Sequence, residues 1–133
     1  MKRKQSTSIH PVLRAQMRAK WEAESVRGQI HALFGDNREL LLAYGSILFF
    51  VASACAIHTG KSDDAPQLRI IRGSINALDD LKERSHITLT DRGSIYAGMI
   101  ASQELIQDTP IEIVDDAASI YDHMSREFNK ESA

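Results

Sequence analysis

Apolar side chains recur along this chain at three- and four-residue steps, the spacing of helices that turn one face inward. Val12, Ala19, Val26 and Leu33 follow one another at seven-residue intervals, with Gln16, Ala23 and Ile30 set between them. That is a seam of coiled-coil type. Leu13, Met17 and Trp21 form a second apolar line on a neighbouring face of the same helix, so it has two contacts to make, with two neighbours or with one neighbour and a partner. Phe34-Gly35-Asp36-Asn37 reads as a helix end followed by a new capping residue, which predicts a hairpin rather than one rod reaching residue 57.

From Leu40 to Ile57 no charged residue occurs. A helix apolar all round is either buried or in lipid. The run is near the lower length limit for a hydrocarbon core of about 30 Å, and Tyr44, Gly45, Ser46 and Ser53 weaken it further. A buried central helix of a soluble bundle is the preferred reading. A single-pass span behind a cytoplasmic basic N-terminus is the alternative. A third version packs the small face, Gly45, Ala52 and Ala56, against a second copy.

His58 to Ala65 is polar and forms a loop, and Pro66 opens a third helix with Leu68, Ile71, Ile75, Leu78 and Leu81 inward. Thr88 and Asp91 are spaced to cap a fourth helix, whose inner face carries Ile95, Met99, Ser102 and Ile106. Ser94, Gly98 and Ser102 on that helix leave room for a neighbouring backbone. Thr109-Pro110-Ile111-Glu112 has the form of a capping box with proline at the first helical position. The fifth helix then presents Ile113, Ala117, Ile120, Met124 and Phe128. The only alternating stretch is His86–Thr90, too short to make a strand. The expected fold is an all-α, compact five-helix bundle with a central apolar helix and an N-terminal helical hairpin. It is one domain over 1–133: a flexible basic tail at 1–8, then helices at 9–34, 37–58, 66–84, 90–107 and 110–128.

Bulk composition fits that fold: 43% apolar and 26% charged residues over 133 positions suffice for one core without staples. The single cysteine, Cys55, excludes an internal disulfide and points to a reducing, cytoplasmic compartment. Net charge is −2 but unevenly laid out, +4 over residues 1–60 and −6 over 61–133. Attraction between the two halves, within the fold or in a homodimer, explains this imbalance without a nucleic-acid partner.

Candidate chemistry is sparse. The five histidines stand apart at positions 10, 31, 58, 86 and 123, so no zinc-ligand spacing occurs, and no glycine-rich phosphate loop or nucleophile elbow is present. Two acid clusters, Asp79, Asp80 and Glu83 on the third helix and Glu112, Asp115 and Asp116 on the fifth, are of the general kind that all-α nucleotide pyrophosphohydrolases use to hold Mg²⁺. Helix-end electrostatics and a solvated face account for them as well. Lys2, Arg3, Lys4, Arg14, Arg18 and Lys20 are the one dense basic stretch, and a DNA-binding regulator is an alternative they allow. No cofactor is expected. The function these features favour is a small non-enzymatic interaction or regulatory protein that binds a protein partner and self-associates, with Leu13, Arg14, Met17, Arg18 and Trp21 as its partner-facing residues.

Overall fold

Residues 10–132 are described by a computed structural model, with side chains through Lys130. The basic start at Lys2–Lys4 lies outside them. Five helices follow in order: α1 (Pro11–Phe34), α2 (Arg38–His58), α3 (Pro66–Lys82), α4 (Leu89–Gln107) and α5 (Ile111–Ser132). Among the described residues there is no strand, and His86–Thr90 is the entry to α4.

Local signals in the sequence start most of these helices. His10 Nδ1 accepts from the Val12 N–H at 3.1 Å, and Asn37 Oδ1 accepts from the Leu40 N–H at 3.0 Å. Thr88 and Asp91 form a complete capping box at α4. The box expected at Thr109 does not form. Its hydroxyl instead donates back to the Leu105 carbonyl of α4 at 2.7 Å, and α5 starts one residue later at Ile111, with the Pro110 carbonyl accepting from the Ile113 and Val114 N–H groups. A carbonyl left open at the end of α4 wins the hydroxyl over an N–H at the start of α5.

The core forms around α2, which packs against each of the other four helices. Leu41, Leu48, Phe49, Val51, Ala52, Cys55 and Ala56 are fully or almost fully buried. The small side of α2 faces inward against its own chain and not a second copy: a Cβ added at Gly45 would come within 2.7 Å of Leu78 Cδ1 on α3. Burial of α2 is nevertheless one-sided. Only 44% of its apolar window is buried, and Leu40 and Ile57 are exposed at 42% and 78%.

The most extensive helix pairing is α3 with α4. Ser74 of α3 lies over Gly98 of α4 and donates to the Ser94 carbonyl at 2.5 Å. A Cβ at Gly98 would overlap the Ser74 side chain and stand 2.9 Å from Phe49 Cε1. Backbones meet here because both helices are small at the crossing.

On two helices most of the apolar line read from the sequence is turned outward. On α1 the buried residues are Trp21, Ser25, Gly28 and Ala32, with Met17 half-buried, while Val12, Val26, Ile30 and Leu33 of the heptad seam are 59%, 46%, 52% and 40% exposed. Gly28 explains the choice: with no side chain there, Leu48 and Met99 come within 3.0 and 3.3 Å of where a Cβ would stand. On α5 the buried line is Ile111, Val114 and Ala117, with Tyr121 half-buried against Phe50. Ile120, Met124 and Phe128 are 54%, 53% and 69% exposed.

Gly98→Ala should lower stability in urea unfolding by about 1–3 kcal/mol through overpacking, even though alanine is the better helix former. Gly93→Ala, on the same helix with no atom within 4 Å of the added methyl, should raise it by about 0.5–1 kcal/mol. Equal effects of the two substitutions would show that the crossing is not sterically closed.

Candidate interaction surfaces

The five residues expected to face a partner take different roles. Trp21 is buried at 7% exposure, so its indole is part of the core and not of a partner surface. Arg18 reaches across to the far end of α4. Its Nη1 donates to the Ile106 carbonyl at 2.8 Å and its Nη2 to the Thr109 carbonyl at 2.6 Å. The Ile106 carbonyl, which also accepts the Thr109 N–H at 3.2 Å, is in the last turn of α4 and Thr109 lies just past it, so the guanidinium meets the negative end of that helix's dipole. Arg14 pairs with Glu112 at the start of α5. Met17 packs on the core edge, and Leu13 alone stands open, at 49%. The amphipathic spacing on α1 is real, but this line is the one the bundle covers.

The clamp at Arg18 has a counterpart. Arg92, near the start of α4, donates to the Ala32 carbonyl in the last turn of α1 at 3.0 Å. Helices α1 and α4 run antiparallel, and each sends an arginine to the other's carbonyl end. Gln29 and Gln103 join them in between at 2.7 Å. With Arg14 and Arg18 engaged by protein oxygens, α1 presents no free Arg14–Arg18 pair to a phosphate backbone.

The acid clusters are not brought together. Asp79, Asp80 and Glu83 close α3 beside the entry to α4, whereas Glu112, Asp115 and Asp116 open α5 beside the exit of α4. The 19 residues of α4 separate them, a span of about 28 Å at 1.5 Å per residue. Asp79 pairs with Lys82 at 3.3 Å, as a solvated face does. Among the described residues no three His, Cys, Asp or Glu side chains converge as metal ligands would.

One acid outside these clusters is tightly held. Asp91 is buried and accepts Arg84 Nη1 on both carboxylate oxygens at 2.7 Å, as well as the Thr88 N–H at 3.2 Å. Burial alone would raise its pKa. The Arg84 and Thr88 hydrogen bonds outweigh burial and hold the carboxyl below the usual range. Arg84, Asp91 and Asp80 line a cleft of about 450 Å³ between α3 and α4, but the Arg84–Asp91 pair has already spent its charge internally. Glu112 is likewise held low, by its own backbone N–H and by Arg14. Burial pushes the Cys55 thiol up, so it is a poor nucleophile.

Apolar side chains stand exposed at helical spacing on the outer seam of α1, and at Ile120, Met124 and Phe128 on α5. Both lines were visible in the sequence as periodic stripes, but periodicity does not say which of two stripes on a helix faces the core. Comparison with known proteins adds no constraint: no family model, curated protein or solved structure matches the chain.

Arg18→Ala should cost about 1.5–3 kcal/mol, the range for hydrogen bonds to a charged group, whereas Arg14→Ala, at an exposed pair, should cost about 0–1 kcal/mol. Chemical denaturation of the two variants checks this order. Asp91→Asn should lower stability at neutral pH, and the gap to the parent protein should close in acid. The folded pKa of Asp91 lies below its unfolded value of about 3.9. Its contribution is therefore complete above that value and disappears as pH falls through the folded pKa. A gap that stays constant between pH 7 and pH 2 would contradict the assignment.

Proposed function

We propose that this protein is a small, non-enzymatic helical interaction and regulatory protein of the cytoplasm, which binds a protein partner and self-associates. One observation carries the reading. Large apolar side chains stay exposed at helical spacing on α1 and α5 although the chain buries a hydrophobic core against one side of α2. Apolar stripes left outside a satisfied core are characteristic of surfaces that another molecule covers.

The partner surface in this reading is the second half of α5. Ile120, Met124 and Phe128 share one side of the helix, and their four-residue steps match the anchors by which an amphipathic helix enters an apolar groove. Met124 and Phe128 combine an adaptable and an aromatic contact. The separation of the two acid clusters speaks against a shared Mg²⁺ site, and the engagement of Arg14 and Arg18 speaks against a DNA-binding face.

The membrane reading keeps one supporting observation, the exposed side of α2 with Leu40 and Ile57. Against it, inserting α2 in lipid would strip the other four helices of the element around which they pack.

The tagged protein and its Ile120→Asp/Met124→Asp variant, used side by side in affinity capture from the native host, decide between these readings. The variant should lose the retained partner while keeping its helical circular dichroism and melting temperature. Retention of the same partner by both proteins refutes the α5 surface. A requirement for detergent throughout refutes the soluble reading itself.

A further inference from the structure

We infer that the outer seam of α1 is the surface on which a second copy of this chain docks, as an antiparallel two-helix coiled coil. The inference rests on the self-association part of the reading above and names its site. Projected at 100° per residue, Val12, Gln16, Ala19, Ala23, Val26, Ile30 and Leu33 lie opposite Trp21, Ser25, Gly28 and Ala32. A helix arriving on the seam therefore meets α1 alone and not α2 or α4. The alternating three- and four-residue steps are the 3.5-residue period of a left-handed supercoil. Nothing inside the fold uses that period, because α1 packs on its own bundle through Gly28 and its small neighbours.

The seam is complementary to itself in one direction only. After Val12 its first part is thin at Ala19 and Ala23, and its second part is bulky (Val26, Ile30, Leu33). A twofold axis perpendicular to α1 lays the bulky part of each copy on the thin part of the other, pairing Ala23 with Val26, Ala19 with Ile30 and Gln16 with Leu33. The two inner layers on each side of the axis then set an alanine against a larger residue, with Gln16 against Leu33 beyond them, and the helix spacing stays even. A parallel pair sets Ala on Ala and Leu on Leu, and the helices splay. The same axis brings Leu13 and Phe34, exposed at 49% and 79%, against each other at both ends of the interface. Lys20 and Arg27 then face each other across the seam. Glu24, which accepts Arg27 at 2.7 Å, lies one turn from each and offsets their repulsion. A closed pair of this kind leaves no free seam and stops at the dimer.

Sedimentation equilibrium of the full chain tests the proposal. The parent protein should be a dimer. Val26→Asp/Ile30→Asp, altered at positions exposed in the fold, should be a folded monomer with a dissociation constant raised roughly a hundredfold or more. Oxidative cross-linking reads the direction independently: chains carrying Ala19→Cys mixed with chains carrying Ile30→Cys should yield the mixed disulfide and neither symmetric one. Cys55 is fully buried and does not compete. A parent protein that is monomeric at all concentrations overturns self-association altogether. A dimer that survives Val26→Asp/Ile30→Asp overturns the seam alone, leaving self-association to another face. Symmetric disulfides through Ile30→Cys overturn the antiparallel arrangement.

Discussion

The contact on which the rest of this structure depends is the close approach of α3 and α4 where Ser74 covers Gly98. Two helices that touch at their backbones cannot shift or rotate without opening a void or meeting a Cβ, so their pairing sets the frame for the others. Phe49 of α2 rests against the same spot, and Gly45 receives Leu78 one layer away. On the other side of α2, Gly28 lets Leu48 and Met99 approach α1. Three glycines on three helices thus do what large interlocking side chains do in other bundles. Each marks a point where one helix is thin and a neighbour supplies the bulk. The core needs few aromatics for this reason, and only 6% of the chain is aromatic.

Polar groups complete what this packing leaves open. Helices this close leave their carbonyl ends inside or near the bundle, where unsatisfied oxygens are costly. Arg18 serves the end of α4, Arg92 serves the end of α1, and the Thr109 hydroxyl takes one more carbonyl of α4. The pair of half-exposed Arg84 with buried Asp91 fixes the turn between α3 and α4. A basic first half and an acidic second half therefore meet within the fold at Arg14–Glu112, while other arginines of both halves are spent on carbonyl oxygens. The other ion pairs among the described residues each lie within one half of the chain.

The same economy explains why so much apolar surface stays outside. A helix that contacts its neighbours through Gly, Ser and Ala spends little of its hydrophobic content on the core, so a second stripe is free for another use. On α1 that stripe has a supercoil period and a graded thickness, and on α5 it ends in Met124 and Phe128. The readings of self-association and partner binding both grow from apolar side chains that these two helices keep outside the core.

Much of the architecture is legible from the residues alone. Loop composition and capping at Asn37, Pro66 and Thr88 delimit the helices, because those effects act within a few residues of backbone and need no neighbour. The uncharged segment from Leu40 to Ile57 marks the central element for an equally local reason, since such a run has nowhere else to go but away from water. The facing of α1 and α5 is not legible in this way. Each carries two apolar lines, and local spacing treats them alike. Only a neighbouring helix, approaching at Gly28 on one side or with Phe50 against Tyr121 on the other, selects which line is buried. Arg18 and Trp21 likewise look like surface residues in sequence because the carbonyls and side chains that engage them lie more than 80 positions away. Effects confined to one turn of helix, and the inner faces of α3 and α4, were written in the chain; on α1 and α5 the choice between faces waited for the partner helix to arrive.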